Sequence, residues 1–148
     1  KWNGDLYWKY AIDHNIEEIL KQLGSTIAIQ GELFGNGIQG NPYKLTDICY
    51  RVFNFWDMTN HQYIDVATMW DTVDSFGLGK DFLVPYLGQI TLDHSVDDLL
   101  EMATGKSVLS DTLREGLVFR PEIESTDYKI GRLSFKAIST KYLLERGE

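Results

Sequence analysis

The stretch STIAIQGEL, residues 25–33, decides the fold class, because its apolar side chains recur with a period of two. The two isoleucines, Gly31 and Leu33 fall on one face, and Glu32 falls on the other. This alternation predicts a strand that brings Glu32 to one face of a sheet. Residues 35–45 hold three glycines and an Asn-Pro pair, which predicts a tight loop at the end of that strand.

Two helices are predicted before this strand. Apolar residues recur at helical spacing over residues 16–23, and Gly24 stands where a glycine commonly ends a helix. Asn15 and Glu18 have the spacing of a capping box, which predicts the start of the same helix. A preceding helix is predicted over residues 5–13.

The remaining chain alternates between strands and helices. The predicted strands cover residues 48–57, 82–91, 117–120 and 133–138, and the predicted helices cover 65–76, the segment between Ser95 and Gly105, and a short tail. Pro85 places 82–91 at a sheet edge, because proline has no amide hydrogen to donate. Several turns are too short for crossover connections between parallel strands. We therefore predict an α+β fold with an antiparallel or mixed sheet and flanking helices.

Composition narrows the function classes. A chain of 148 residues with 43% hydrophobic residues is expected to form one domain. Its 14 basic and 22 acidic residues give a formal net charge of −8, which argues against a self-sufficient, non-specific nucleic-acid binder. Any nucleic acid that the chain binds therefore needs a local basic patch or basic residues outside this chain.

Cysteine and histidine usage gives no metal site and no disulfide. Cys49 is the single cysteine in the sequence, and His14, His61 and His94 have no spacing that places two of them on one helical face. No apolar run approaches the ~20 residues of a membrane helix, and no signal peptide opens the sequence. We expect a cytoplasmic, intracellular protein without a membrane partner.

Three ionisable residues lie in unusual positions on predicted strands. Glu32 and Glu115 are each followed by small or apolar residues, and Lys136 interrupts an apolar alternation. An ionised side chain in such a place either faces solvent or points into a cleft that offers an opposite charge or a hydroxyl. The residues by themselves leave both interpretations open.

Four segments, in order along the chain, resemble motifs of the ATP-dependent RNA ligases, which belong to the covalent nucleotidyltransferases. Residues 31–39 (GELFGNGIQ) resemble motif III, and residues 50–54 (YRVFN) resemble motif IIIa. Residues 114–121 (REGLVFRP) resemble motif IV, and residues 133–139 (LSFKAIS) resemble motif V. One such motif would be weak, whereas four in the right order are specific.

The resemblance implies a fold and a function. The fold would be the C-terminal part of a nucleotidyltransferase, or adenylyltransferase, domain. The enzyme would be an ATP-dependent RNA ligase of RNA repair, which joins 5′-phosphate and 3′-hydroxyl RNA ends through a lysyl-AMP intermediate. Its cofactors would be ATP and Mg²⁺ or Mn²⁺, and its partners would be RNA ends and ATP or AMP.

The resemblance also implies roles for four residues. Glu32 would accept a hydrogen bond from the adenosine ribose, and Phe53 would stack on adenine, although an aromatic residue on a strand is by default a core residue. Glu115 would place the divalent metal as an oxygen ligand. Lys136 would contact the α-phosphate and stabilise the charge that develops there.

The sequence departs from the family pattern in two places. The family usually carries Lys-x-Lys in motif V, but Ser134 stands at the first position here, so one cation is missing or Lys141 supplies it. The motif I sequence Lys-x-Asp-Gly, which holds the nucleophilic lysine, occurs nowhere in residues 1–148, and the motif Ia arginine strand is also absent. We therefore expect residues 1–148 to be a partial nucleotidyltransferase domain that is inactive alone.

An incomplete domain has further expected consequences. The first residue is Lys1 rather than Met, which fits a fragment whose motif I lies upstream. Missing strands would expose sheet edges and apolar surface, so self-association or a complementing second chain is expected.

Two other functions stay open at this level. An mRNA-capping guanylyltransferase shares the lysyl-nucleotide chemistry, although the extended glycine-rich loop after Glu32 favours the RNA ligases. A non-catalytic domain of the same fold could bind RNA or protein. The sequence upstream of residue 1 distinguishes this last alternative, because it either contains Lys-x-Asp-Gly or does not.

Overall fold

A computed structural model describes residues 4–24 and 26–147 of the chain. The described helices are α1 (Gly4–Asp13), α2 (Ile16–Leu23), α3 (Val66–Ser75), α4 (Val96–Ala103) and α5 (Thr140–Arg146). The described strands are β1 (Ile27–Gly35), β2 (Ile48–Asp57), β3 (Gln62–Tyr63), β4 (Gly116–Phe119), β5 (Thr126–Asp127), β6 (Gly131–Arg132) and β7 (Phe135–Ile138). None of these helices has both the length and the apolar character needed to cross a bilayer.

The strands form three small sheets. In the first, β2 lies between β1 and β3, and β2 pairs with β3 in antiparallel register, with Trp56 opposite Tyr63. In the second, β4 and β7 are antiparallel, with Val118 opposite Lys136. In the third, β5 and β6 form an antiparallel hairpin. These antiparallel pairings and the helices confirm the predicted α+β fold.

Contacts divide the described chain into two compact units. The first unit contains the residues before Phe34 together with Cys49–Val84, and the second contains Phe34–Ile48 together with the chain from Pro85 onward. The largest buried cluster of the first unit consists of Val52, Phe55, Met69, Val73 and Leu83. Strand β2 and helix α3 therefore supply most of the core of this unit.

Strand β2 buries side chains on both of its faces. Val52 and Phe55 are three residues apart, so a regular strand would place them on opposite faces. Both side chains nevertheless lie in the same cluster, and they are 0% and 1% exposed. Phe53 was expected to share a face with Phe55, but it is only half-buried and is not among the described residues of the cluster.

The second unit is organised around the β4–β7 pair and the C-terminal end of α4. Gly116 approaches β7 so closely that a Cβ atom there would lie 2.1 Å from the carbonyl oxygen of Ala137. The rings of Phe119 and Phe135 stack across the two strands, with centroids 5.0 Å apart. Only glycine fits at position 116 without separating the strands, because any Cβ would overlap the opposing backbone.

The predicted elements were confirmed where their patterns were long. The helix predicted over 16–23 and the strand predicted over 48–57 have the observed bounds. The strand expected to begin at Ser25 begins at Ile27, and Ser25 lies outside the described residues. Strands β3, β5 and β6 were not predicted, because two residues are too few to show a period.

The strand predicted over 82–91 is wrong. The chain forms a single 3₁₀ turn at Lys80–Phe82 and then one isolated parallel bridge between Leu83 and Val52. The amide of Val84 donates to the carbonyl oxygen of Val52 at 2.9 Å, and no ladder continues beyond it within the described chain. Pro85 comes next and has no amide hydrogen, so the pairing cannot extend at that position.

Ser95 and Asp98 have the same three-residue spacing as Asn15 and Glu18 and likewise predict a helix N-terminal cap, but the two predictions have different outcomes. At Ser95 the box is present, since the Asp98 amide donates to the Ser95 hydroxyl and the Ser95 amide donates to the Asp98 carboxylate. At Asn15 it is wrong, because Asn15 has a left-handed backbone (φ 52°, ψ 37°) and forms no side-chain cap. Asn15 links α1 directly to α2, and asparagine tolerates the left-handed conformation that this tight link requires.

Candidate functional site

Glu32 lies in the middle of β1 and is exposed. Its neighbour Gly31 is packed under the ring of Tyr50, where a Cβ atom would lie 2.5 Å from the nearest ring carbon. Adjacent residues of a strand face opposite sides, so the tyrosine covers one face of β1 and leaves Glu32 on the other. The Glu32 carboxylate therefore faces solvent, which is the first of the two interpretations that the sequence left open.

Phe53 lies on β2 between residues that the core buries. Val52 is 0% exposed and Asn54 is 6% exposed, whereas Phe53 is half-buried. Part of its ring surface is therefore accessible from outside the first unit. An aromatic side chain in this state can stack on a planar ligand without first leaving the core.

Two polar contacts in the first unit were not anticipated from the sequence. The side-chain amide of Asn54 donates to the side-chain oxygen of Gln30 at 2.8 Å, which joins β2 to the strand that carries Glu32. An ion pair connects Arg51, which is mostly buried, to the exposed carboxylate of Asp81, with 3.4 Å between nitrogen and oxygen. Neither contact could be predicted from local sequence patterns, because the partners are 24 and 30 positions apart.

In the second unit, Glu115 and Lys136 form a direct ion pair. Glu115 immediately precedes β4, and Lys136 lies in β7 opposite Val118. Their side chains are 42% and 41% exposed, so solvent screens the attraction and the pair contributes at most about 1 kcal/mol to stability. The structure thus brings together two residues that the sequence singled out separately, and both remain accessible to a ligand.

Arg114 and Ser139, on either side of Glu115, were missed as supporting residues. The Arg114 guanidinium donates to the carbonyl oxygens of Met102 and Ala103, and the Ser139 amide donates to the carbonyl oxygen of Glu115. Arg114 stands next to Glu115 in the sequence, which was the one available signal. The acceptors are backbone atoms, and sequence patterns do not identify those.

Glu115 has the donor chemistry of a ligand for a nucleotide-bound divalent metal. Within residues 4–24 and 26–147, no group of three or more His, Cys, Asp or Glu side chains could hold an ion. A single accessible carboxylate, Glu115, suits Mg²⁺ or Mn²⁺, since Mg²⁺ keeps several waters and commonly combines one or two carboxylates with substrate phosphates. Glu115 thus fits a metal bound to a nucleotide.

A separate depression in the second unit contains none of the four predicted site residues. Its described lining consists of Pro42, Lys44, Thr112, Leu113, Tyr142, Glu145 and Arg146. The guanidinium of Arg146 lies 5.2 Å from the centre of the Tyr142 ring. The lining carries charges of both signs, so its composition alone favours no ligand class.

Comparisons with known proteins bear on this arrangement. A family model described as RNA ligase matches residues 1–138. A structure of Naegleria gruberi RNA ligase with PPi is 33% identical and covers 95% of this chain, with a TM-score of 0.81. An alanine variant of that ligase with ATP and Mn is 32% identical over 95% of this chain (TM-score 0.81), and another without ligand is 31% identical over 99% (TM-score 0.84).

The chain corresponds to less than half of each related ligase structure. This chain covers 40%, 40% and 42% of those three structures. No curated protein matched the chain.

Proposed function

This chain belongs to the RNA ligase family, and we propose that it supplies nucleotide- and metal-binding residues to an ATP-dependent ligase that joins RNA ends. The observation that carries the proposal is the accessible ion pair between Glu115, which immediately precedes β4, and Lys136 on β7. It places a carboxylate and an ammonium side by side, as a metal-bound phosphate requires. A lysine would take AMP from ATP with release of pyrophosphate, and the AMP would then pass from the lysine to the RNA 5′-phosphate. Attack of the 3′-hydroxyl on that phosphate would join the two ends and release AMP.

Lys136 and Glu115 would act on the reacting phosphate. Phosphoryl transfer depends mainly on positioning and on neutralising charge, because the protein has little covalent work of its own. Lys136 would move from Glu115 to an α-phosphate oxygen, where its charge stabilises the transition state. Glu115 would then hold Mg²⁺ or Mn²⁺, which supplies the remaining charge neutralisation.

Glu32 and Phe53 would bind the nucleoside. Glu32 is an exposed acceptor on β1, suited to the hydroxyl groups of a ribose. Phe53 offers a half-buried ring, suited to stacking on adenine. Structures of Naegleria gruberi RNA ligase variants with ATP and Mn, and with AMP and Mn, support the choice of nucleotide.

The remaining parts of the site would lie outside these 148 residues. No Lys-x-Asp-Gly occurs in the sequence, so another segment or another chain must supply the nucleophilic lysine. We treat residues 1–148 as a partial nucleotidyltransferase domain, complemented by that segment or by self-association. Because the net charge is −8, RNA ends would be held by a local basic patch or by basic residues outside these 148 residues. ATP and RNA as substrates would fit the expected intracellular, cytoplasmic location.

The natural polypeptide that carries this sequence, here called the parent polypeptide, provides the test. We expect incubation with α-labelled ATP and Mg²⁺ to give a protein adduct that survives denaturation and is released by acid, as a phosphoramidate is. The same incubation with α-labelled GTP should give none. Labelling by GTP in preference to ATP would indicate a capping guanylyltransferase, and no labelling by either would indicate a non-catalytic domain.

A further inference from the structure

Arg114 directs its guanidinium at the C-terminal end of α4. Its Nε donates to the carbonyl oxygen of Ala103 at 3.0 Å, and its Nη2 donates to the carbonyl oxygen of Met102. Both acceptors belong to the last turn of the helix, where carbonyl groups have no partner within the helix. The positive charge also lies at the negative end of the helix dipole. Arg114 therefore acts as a cap for α4.

The loop between α4 and β4 is closed by its own backbone. The amide of Arg114 donates to the carbonyl oxygen of Gly105 at 2.9 Å, and the amide of Ser107 donates to the carbonyl oxygen of Thr112 at 2.8 Å. A Cβ atom at Gly105 would lie 3.3 Å from Arg114 Nη2, which is tighter than ordinary contact. The backbone and the side chain of Arg114 are thus both fixed relative to the end of α4.

Ser139 holds Glu115 from the other side. Its amide donates to the carbonyl oxygen of Glu115 at 2.8 Å, and its side chain is 0% exposed. The Ser139 hydroxyl lies 3.2 Å from the hydroxyl of Thr104, which directly follows α4. The same hydroxyl accepts a bond from the amide of Tyr142 in the first turn of α5. The backbone of Glu115 is therefore held between the end of α4 and the start of α5.

From these contacts we infer that Arg114 and Ser139 are positioning residues, which fix the backbone from which the Glu115 carboxylate reaches its ligand. This inference rests on the metal-binding role proposed for Glu115. The Nε and Nη2 groups of Arg114 both donate to helix carbonyl oxygens. This edge of the guanidinium is therefore not free to contact a phosphate. The planar fork of arginine reaches two adjacent carbonyls at once, and lysine cannot reproduce that geometry.

Binding of Mn²⁺ to the parent polypeptide tests the inference. Free Mn²⁺ is measured by electron paramagnetic resonance in the presence of a saturating ATP analogue with a methylene bridge between the α and β phosphorus atoms. We expect Arg114→Lys and Arg114→Met each to raise the dissociation constant for Mn²⁺ roughly 10-fold, at the lower end of the 10–100-fold effects of residues that support metal ligands. Ser139→Ala keeps the amide bond to Glu115 but removes the hydroxyl contacts to Thr104 and Tyr142 that hold this backbone between α4 and α5, so we expect it to weaken Mn²⁺ binding in the same direction. Affinity for the analogue without metal should stay within about twofold.

Matched variants separate this inference from the proposed function. Lys106→Met removes a cation of the same loop that is paired with exposed Asp111, and it should leave Mn²⁺ binding unchanged. Glu115→Gln should weaken Mn²⁺ binding most. Wild-type Mn²⁺ affinity in Glu115→Gln would overturn the role of Glu115 and the inference with it.

Two other results would overturn the inference alone. One is a large loss of Mn²⁺ affinity in Glu115→Gln together with wild-type Mn²⁺ affinity in folded Arg114→Lys. The other is loss of analogue binding in Arg114→Met that Arg114→Lys restores, since that pattern indicates direct phosphate contact. Thermal melts establish folding, and if both Arg114 variants unfold, unchanged Mn²⁺ affinity in folded Ser139→Ala contradicts the inference.

Discussion

At the scale of single residues, the Glu115–Lys136 pair contributes little to the stability of the fold. Both side chains are about two-fifths exposed, so their attraction is screened by solvent. Because the ion pair contributes little free energy, it costs little free energy to break when a ligand binds one of the two side chains. This property suits residues that must exchange partners during phosphoryl transfer.

Loss of either charge is expected to slow adenylylation without unfolding the protein. In the parent polypeptide, Glu115→Ala and Lys136→Ala should each slow the step by about a hundredfold or more, or ~2.7 kcal/mol, because each removes one preorganised electrostatic partner. Single-turnover labelling with α-labelled ATP measures the rate. Lys106→Ala is the matched surface control. A folded Glu115 or Lys136 variant with the wild-type rate would show that the residue has another role.

Phe53 and Phe55 form a natural control pair for stacking against packing. Phe53→Ala should raise the Michaelis constant for ATP several-fold, because a base stacked on an aromatic ring is worth roughly 1–3 kcal/mol. Its unfolding free energy should fall by less than roughly 2 kcal/mol, since the ring is only half-buried. Phe55→Ala removes a ring that is 1% exposed and should cost about 3–5 kcal/mol of stability.

Urea melts and ATP titrations of adenylylation, made on the same samples, distinguish the two roles. Phe53→Tyr should leave both quantities nearly unchanged, because the ring is kept. A large stability loss in Phe53→Ala with unaltered ATP dependence would place Phe53 in the core and move the adenine contact to another aromatic residue.

At the scale of elements, the start of α4 depends on a local cap. Ser95 and Asp98 exchange hydrogen bonds at the N-terminus, and Arg114 caps the other end of the same helix. Helix α4 has eight residues and would be marginal in isolation, so its ends matter more than its propensity. The helix is thereby fixed at the end that supports Glu115.

The cap makes the stability of α4 dependent on pH. Hydrogen bonds from the hydroxyl and then the amide of Ser95 lower the pKa of Asp98 from its ordinary value of 3.8. Because the pKa is lower in the folded state, the contribution is fully present above about 3.8 and is lost as the pH falls through the folded value. The difference in melting temperature between wild type and Asp98→Asn should therefore shrink below that pH.

Melting curves between about pH 2 and pH 6 measure this difference. Asp97→Asn removes a charge from the same turn without removing the cap and serves as the control. A difference between wild type and Asp98→Asn that stays constant across the range would contradict the assignment of the cap. Ser95→Ala should cost about 1 kcal/mol at neutral pH, as loss of an N-cap does.

At the scale of the whole molecule, the chain holds recognisable parts of a nucleotidyltransferase without its nucleophile. The family match covers residues 1–138, yet the chain spans about two-fifths of the related ligase structures. We expect the 148-residue chain alone to form no covalent adduct with ATP, because no Lys-x-Asp-Gly is present and the role proposed for Lys136 is to bind phosphate rather than to attack it. Incubation with α-labelled ATP and Mg²⁺, followed by denaturing electrophoresis, measures this. A band that survives denaturation and is released by acid would refute the expectation.

Patterns among neighbouring residues were enough to predict several local elements and to indicate the family. β-Branched and aromatic residues predicted the 48–57 strand, and helical spacing predicted the 16–23 helix, both with their observed bounds. The Ser95 cap was readable because its partners are three residues apart. The order of four motifs was enough to identify RNA ligases. All of these signals are carried by neighbouring residues, whose backbone geometry sets their period and spacing.

Contacts between residues that are far apart in the sequence could be identified only from the tertiary structure. Glu115 and Lys136 are 21 positions apart, and their contact depends on the antiparallel pairing of β4 and β7, which in turn depends on the close approach at Gly116. It also decided that Phe55 is buried while Phe53 is half-buried, although both lie in one aromatic strand. The physical reason is the same in each case. Register and packing depend on atoms that are far apart in the chain, and alternation along a single strand does not specify them.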